Sequence, residues 1–291
     1  MPLDPFQRRI ARLLAGNRTQ QNHLAGGAAL NITRHTPRFS GDLDYFHDSD
    51  SLVGAAFTKD AASLKAAGLS MSISARFPTF IRAVISSGNQ STKIEWAHDS
   101  AWRFLPAVKD PVAGYRLHPI DLAVNKVITL ASRKEPRDYV DVLFINRNFL
   151  ELGALCWAAQ SKDPGLPPPL LLELISRSTA GYGPDAIGEM RTAFDALKLA
   201  KGPLNLAALR SEWMDSLEKA RELCAWLPQK LAGCLFLDPK TRRFATPKNS
   251  SHLATLKPHW ARIGGILPSI GDPGLLSGMR EAKRAFARKY S

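Results

Sequence analysis

Two short segments constrain this chain more than anything else in it. The first is His23-Leu-Ala-Gly-Gly-Ala-Ala-Leu30, which reads as a strand, a glycine pair and a brief helix beginning at about Ala28. The second, Arg38-Phe-Ser-Gly-Asp-Leu-Asp-Tyr45, ends in a strand over Gly41–Phe46. Alternate residues of a strand point to opposite faces, so Leu43 and Tyr45 are expected on one face and Asp42 and Asp44 on the other. Carboxylates two residues apart on one face suit a pair of hard cations, which take oxygen ligands and share the rest of their shell with water or phosphate. A glycine pair ahead of a helix lets the backbone approach an anion and presents N–H groups at the positive helix end. Anion cradle and metal pair close together are what triphosphate chemistry requires. Taken singly, each has a plainer explanation: Asp-x-Asp is often a turn and Gly-Gly a bend.

The segments around them predict a mixed α/β module. Residues 5–16 suggest a short basic helix, and 58–67 read as helical. Leu69, Met71, Ile73 and Ala75 alternate with Ser70, Ser72, Ser74 and Arg76, the pattern of a half-buried strand. Phe80–Ile85 and Lys93–Trp96 supply two further strands, giving an antiparallel meander. In the last of these Ile94 and Trp96 are expected in the core, with Lys93 and Glu95 on the opposite face. Glu95 there is either a third carboxylate beside Asp42 and Asp44, a general base, or a surface charge.

From Pro119 the texture becomes helical. Pro119 and Pro136 suit first helical positions. Lys126 stands alone among Leu122, Ala123 and Leu130, either as a stem that snorkels or as a charge aimed at a phosphate. Asp138 and Asp141, three apart, share a helical face. Beyond residue 150 the chain predicts helices (Leu170–Ser176, Leu204–Leu227), a hairpin near 234–246, an irregular stretch over Asn249–Gly274 and a basic last helix. The expected division is a core over 1–148 and a helical domain with a basic tail over 149–291.

Composition narrows the classes. With 22% charged and 45% hydrophobic residues the chain is globular rather than disordered. Lys plus Arg is 39 and Asp plus Glu is 26, a formal charge of +13. From Lys240 onward 11 basic and two acidic residues give +9, leaving +4 for the rest. That asymmetry points to a polyanionic partner such as RNA, with Trp260 and Tyr290 placed to stack on bases or simply to pack. Three scattered cysteines, Cys156, Cys224 and Cys234, with no Cys-x-x-Cys, argue for a reducing cytoplasm and against a disulfide framework or zinc knuckle. No apolar run reaches the roughly 18 residues of a membrane span, so no membrane partner is expected.

Taken together, Leu-Ala-Gly-Gly-x-Ala-Leu, Arg-x-Ser-x-Asp-Leu-Asp-Tyr-Phe, Asp121-Leu-Ala-Val-Asn-Lys126 and Arg133-x-x-x-x-Arg137-Asp138-Tyr-Val-Asp141 resemble the AbiEii/AbiGii-type toxin nucleotidyltransferases of the polymerase-β-like minimal nucleotidyltransferase superfamily. The likeness spans roughly Asn22–Ile145. It implies an α+β fold: a nucleotidyltransferase core with a mixed or antiparallel sheet, followed by a mostly helical C-terminal domain. It further implies transfer of NMP from an NTP, with two Mg2+ ions (or Mn2+), to an RNA acceptor, expected to be tRNA, by the toxin of a type IV toxin–antitoxin pair. Under this resemblance Gly26 and Gly27 hold the triphosphate, with Arg38 and Ser40 beside it. Asp42, Asp44 and Glu95 bind metal. Lys126 contacts phosphates, with Asp138 and Asp141 ordering the site from the helical side. The chain departs from the superfamily in having Gly-Gly for the commoner Gly-Ser, and Glu for the commoner Asp at position 95. A small-molecule or protein acceptor, or a non-catalytic RNA-binding module, are the competing readings.

Overall fold

The computed structural model describes residues 3–32, 36–200 and 202–268. They fall into two compact units. One draws on the described residues up to Leu122 with Arg262–Ile266, the other on those from Ala123 to Ala261 with 267–268.

The first unit opens with α1 (Pro5–Leu14). Its start is fixed by a reciprocal cap: the Asp4 carboxylate accepts from the Gln7 backbone while the Gln7 side chain accepts from the Asp4 N–H. There follow β1 (Asn22–Ala25), α2 (Gly26–Asn31), β2 (Asp42–His47) and α3 (Asp50–Ala66). A meander of β3 (Ser70–Phe77), β4 (Phe80–Ser87) and β5 (Gln90–His98) comes next, then the short strands β6 (Trp102–Arg103), β7 (Val108–Asp110) and β8 (Gly114–Arg116). Seven strands form one mixed sheet in the order β3-β4-β5-β2-β1-β8-β7. The β2–β5 and β1–β8 pairs are parallel and the others antiparallel.

One face of this sheet is the core. Leu43, Tyr45, Ile81, Ala83, Ile85, Ile94 and Trp96 are buried, as are Val53, Phe57 and Leu64 of α3. Phe57 meets Trp96 edge-on at 5.2 Å, a geometry that adds about 0.5–1.5 kcal/mol to the burial of the rings. Asp60 of α3 is also buried. It accepts from the Trp96 indole at 2.7 Å and pairs with Arg18, whose guanidinium lies 4.3 Å from the Tyr45 ring centroid. The opposite face of the central strands carries Asp42, Asp44, Lys93 and Glu95.

Three local expectations need correction. β3 is the predicted strand, but its alternation breaks at a register shift between Ile73 and Ala75, and it is mostly exposed, with Ile73 43% exposed, because it is the outermost strand of the sheet. α3 begins at Asp50 rather than 58, because Gly54 and the buried Asp60 interrupt an apolar stripe that the packing nonetheless uses. The brief helix starts at Gly26, two residues before Ala28.

α4 (Pro119–Ser132) leads into α5 (Pro136–Asn148), each opening on proline as expected. The second unit continues with α6 (Leu152–Ala159), α7 (Pro168–Ser178), α8 (Gly188–Asp195) and α9 (Leu206–Trp226). Its core is an aromatic cluster: Tyr139 lies 5.1 Å from both Tyr182 and Trp213, edge to face. The Tyr139 hydroxyl donates to the Leu209 carbonyl at 3.0 Å. Packing of α6 on α9 requires Gly153, where a Cβ would come within 2.9 Å of Ala220 Cα. The anticipated hairpin is β9 (Leu235–Asp238) with β10 (Arg243–Phe244). The stretch expected to be irregular instead supplies α10 (Ser250–Leu253) and β11 (Lys257–His259), which pairs with β9 to make a three-stranded sheet. It also supplies β12 (Arg262–Ile263), which pairs with β6 in the first unit.

This is the expected α+β arrangement, a mixed sheet followed by a mostly helical part. The basic last helix and Tyr290 lie outside the described residues. No helix among the described residues is long and apolar enough to cross a membrane.

Candidate active site

The site begins at the end of β1. Gly26 has φ +60°, the left-handed region open to glycine. Antiparallel pairing sets Ala25 opposite Asp44, which brings the Asp44 carboxylate onto the glycine turn. A Cβ on residue 26 would lie 1.9 Å from Asp44 Oδ2, so only glycine fits. At Gly27 a Cβ would meet the Arg38 guanidinium at 3.2 Å and Ser40 Oγ at 3.3 Å. The glycine pair is thus closely faced by three of the side chains singled out from the sequence. Arg38 and Ser40 are both buried. The Ser40 hydroxyl donates to the Asp42 carbonyl at 3.0 Å, and Arg38 donates to the Phe39 carbonyl at 3.0 Å.

The strands bring the third carboxylate alongside. Parallel pairing of β2 with β5 sets Asp42 beside Lys93 and Asp44 beside Glu95, and β4 sets Arg82 beside Glu95. Asp42, Asp44 and Glu95 each offer an oxygen within 4.8 Å of the others, all three residues being partly exposed. Three hard oxygen donors converging at the mouth of a glycine turn fit a divalent cation. Among the described residues, Lys93 and Arg82 reach these acids. Lys93 Nζ is 3.1 Å from Asp42 Oδ2 and 3.1 Å from Glu95 Oε1, and Arg82 Nε is 2.9 Å from the same Glu95 oxygen. Partial burial pulls the Lys93 pKa down, but Asp42 and Glu95 beside it prevail and hold it above its ordinary value.

In the second unit Lys126 is the centre of a buried ionic cluster. Its ammonium lies 2.9 Å from Asp138 Oδ1 and 2.8 Å from Asp141 Oδ2, and Arg133 Nε lies 2.7 Å from Asp138 Oδ2. Asp138 and Asp141 are fully buried. Burial alone would raise the Asp138 pKa; Lys126 first, then Arg133, overcome this and hold it at about 2. The lone cation on an apolar stripe is therefore neither snorkelling nor isolated. Its partners sit 12 and 15 residues along, on the next helix. In the first unit, Asp121 in the opening turn of α4 accepts from the backbone N–H groups of Phe104 and Leu105 at 2.8 and 3.0 Å.

Several residues at the site gave no separate signal. Gln7 donates to the Ser40 carbonyl at 3.2 Å and to Thr92 Oγ1 at 3.3 Å, which ties α1 to the loop carrying Ser40. Asn31, at the end of the glycine helix, is fully buried, and its amide makes no hydrogen bond to any described residue. The bridging role of Lys93 and that of Arg82 depend on strand register. Period-two reading places Lys93 on the right face but does not identify its partners, and it gave no reading of Arg82.

Comparison with solved structures finds distant likenesses. JHP933 from Helicobacter pylori is 16% identical with a TM-score of 0.48, over 76% of this chain and 91% of that one. A putative nucleotidyltransferase from H. pylori is 15% identical with a TM-score of 0.48, over 77% and 96%. MenT4, the nucleotidyltransferase toxin Rv2826c from Mycobacterium tuberculosis H37Rv, is 15% identical with a TM-score of 0.44, over 98% and 91%. A comparison with curated proteins finds no match. The model of the family described as nucleotidyl transferase AbiEii toxin, type IV toxin–antitoxin system, matches residues 10–223, a span that takes in the glycine turn, the three carboxylates and the Lys126 cluster. The chain belongs to the AbiEii nucleotidyltransferase toxins, a family whose activity implies an NTP substrate and a divalent metal.

Proposed function

We propose that this toxin transfers an NMP from an NTP, with Mg2+, to the hydroxyl of an RNA, tRNA being the expected acceptor. The observation that carries the reading is the seat of Asp44 on Gly26, with Asp42 and Glu95 within ligand distance of one another. In this account Asp42, Asp44 and Glu95 hold the metal, which supplies charge neutralisation at the attacking and leaving oxygens. Gly26 and Gly27 hold the triphosphate through the backbone, and Arg38 and Ser40 lie beside it. The acceptor hydroxyl gives up its proton to solvent as its oxygen bonds to the α-phosphorus, the bond from that phosphorus to the β-phosphate oxygen breaks, and pyrophosphate leaves. Positioning and electrostatics supply most of the rate.

Lys126 is assigned to the phosphates, with Asp138 and Asp141 as the positioning residues that fix its ammonium. The functional core therefore runs to residue 148, where the helix bearing both acids ends. Support for an RNA acceptor comes from the net charge of +13 and from exposed Lys240, Arg243, Lys248 and Lys257, with Trp260 40% exposed. A cognate antitoxin and a cytoplasmic setting complete the reading.

Incubation of the full chain with total RNA and each α-labelled NTP in Mg2+ tests it. Label on RNA is the expected result. Label confined to protein, or to a small molecule, contradicts the RNA acceptor while leaving the enzyme class intact.

A further inference from the structure

Lys93 places a positive charge where the proposed metal ligands converge. Its ammonium is 3.1 Å from Asp42 Oδ2 and 3.1 Å from Glu95 Oε1, bridging two of the three carboxylates. Arg82 pairs with Glu95, its Nε 2.9 Å from the same Oε1. The register explains both. Lys93 lies directly beside Asp42 across the parallel β2–β5 pair and two residues from Glu95 on its own strand, so one stem serves both acids. Arg82 reaches Glu95 from β4 on the other side.

A metal ion and an ammonium cannot share the same two oxygens. Magnesium needs carboxylate oxygen at about 2.0–2.1 Å, which brings it against the ammonium with like charge. The lysine side chain is 36% exposed, so it has room to leave.

From this geometry we infer that Lys93 is the resident counter-cation of the site, and that metal binds only by displacing it. The inference rests on the assignment of Asp42, Asp44 and Glu95 as metal ligands. Lys93 holds the carboxylates together in the metal-free protein. When the ion enters, the ammonium swings out of the cluster, and a triphosphate arriving with the metal is the anion that receives it. The metal alone therefore binds weakly, and metal and nucleotide bind with positive coupling.

The test is calorimetric titration of the full chain with MnCl2 alone, with melting temperatures of the metal-free proteins. Lys93→Met keeps the stem and removes the charge; Lys93→Gln serves if that variant folds poorly. Either is expected to bind Mn2+ at least about tenfold more tightly than the parent. Its metal-free melting temperature should be lower, and Mn2+ should raise it further than in the parent. Lys93→Arg, which keeps the charge, should bind as weakly as the parent. Unchanged or weaker binding in Lys93→Met and Lys93→Gln overturns the inference. So does an equal gain in Arg82→Met, which would mark a general field effect rather than an occupied seat. The metal site itself is tested separately by Asp42→Asn in the Lys93→Met background. If that variant binds Mn2+ as tightly as Lys93→Met, the ligand assignment falls; if it loses the ion while Lys93→Met showed no gain, only the role of Lys93 falls. Absence of Mn2+ binding to every variant overturns both.

Discussion

Asp44 Oδ2 occupies the space where a side chain on Gly26 would begin, 1.9 Å from the position of its Cβ. The carboxylate and the glycine turn are therefore one device, in which the turn is shaped to admit the acid. Gly26→Ala is expected to displace Asp44 and to strain a left-handed backbone, at a cost of about 1–2 kcal/mol for the strain alone. Nucleotidyl transfer should fall at least a hundredfold. Gly27→Ala, whose Cβ meets the movable ends of Arg38 and Ser40 at 3.2 and 3.3 Å, should be milder in both respects. Melting curves and transfer assays on the pair check this; equal damage at the two positions contradicts it.

The Lys126 cluster predicts a different signature. Lys126→Met leaves Asp138 and Asp141 buried with less compensation, and breaking a buried ion pair from one side costs about 3–5 kcal/mol. Denaturant unfolding should show that loss together with loss of transfer. Asp42→Asn, at a partly exposed position, should lose transfer with little change in stability. If Lys126→Met instead unfolds like the parent, Asp138 and Asp141 do not depend on it as the distances indicate.

Buried histidines predict how stability depends on acid. Burial is the main cause that lowers His23 to about 3 and His47 and His118 to about 4, from an ordinary 6.5. The unfolded chain binds protons at these residues that the folded chain refuses, so stability rises with pH across this window. It is complete above about pH 6.5 and is lost as pH falls toward 4, by about 1.4 kcal/mol per pKa unit for each group. Asp138, held at about 2, contributes stability that is lost only below its unfolded value of 3.8, in a separate window. Thermal melts at pH 7.5, 5.5 and 4.5 should show a steady fall; a flat profile would falsify the assignment of these histidines as buried and neutral.

Much of the site was legible in the sequence because its geometry is local. Period-two alternation put Asp42 and Asp44 on one face and Leu43 and Tyr45 on the other, and Ile94 and Trp96 opposite Lys93 and Glu95, as the structure has them. What failed was non-local. β3 is a strand, but no periodicity tells that its register shifts between Ile73 and Ala75 or that it is outermost, where its apolar residues stay exposed. Lys126 looked unpartnered because its acids lie on another helix, and Lys93 looked like a surface charge because its partner Asp42 is 51 residues earlier, joined to it by register. Gln7 and Asn31 bear on the site only through tertiary placement, which no local pattern encodes.

The most direct measurement is transfer of label from an α-labelled NTP in Mg2+ by the parent chain and by Asp44→Asn, with both first shown to share one melting profile. The account predicts labelled acceptor from the parent and a loss of at least a thousandfold in the variant. A folded Asp44→Asn protein that still transfers label at the parent's rate would contradict it.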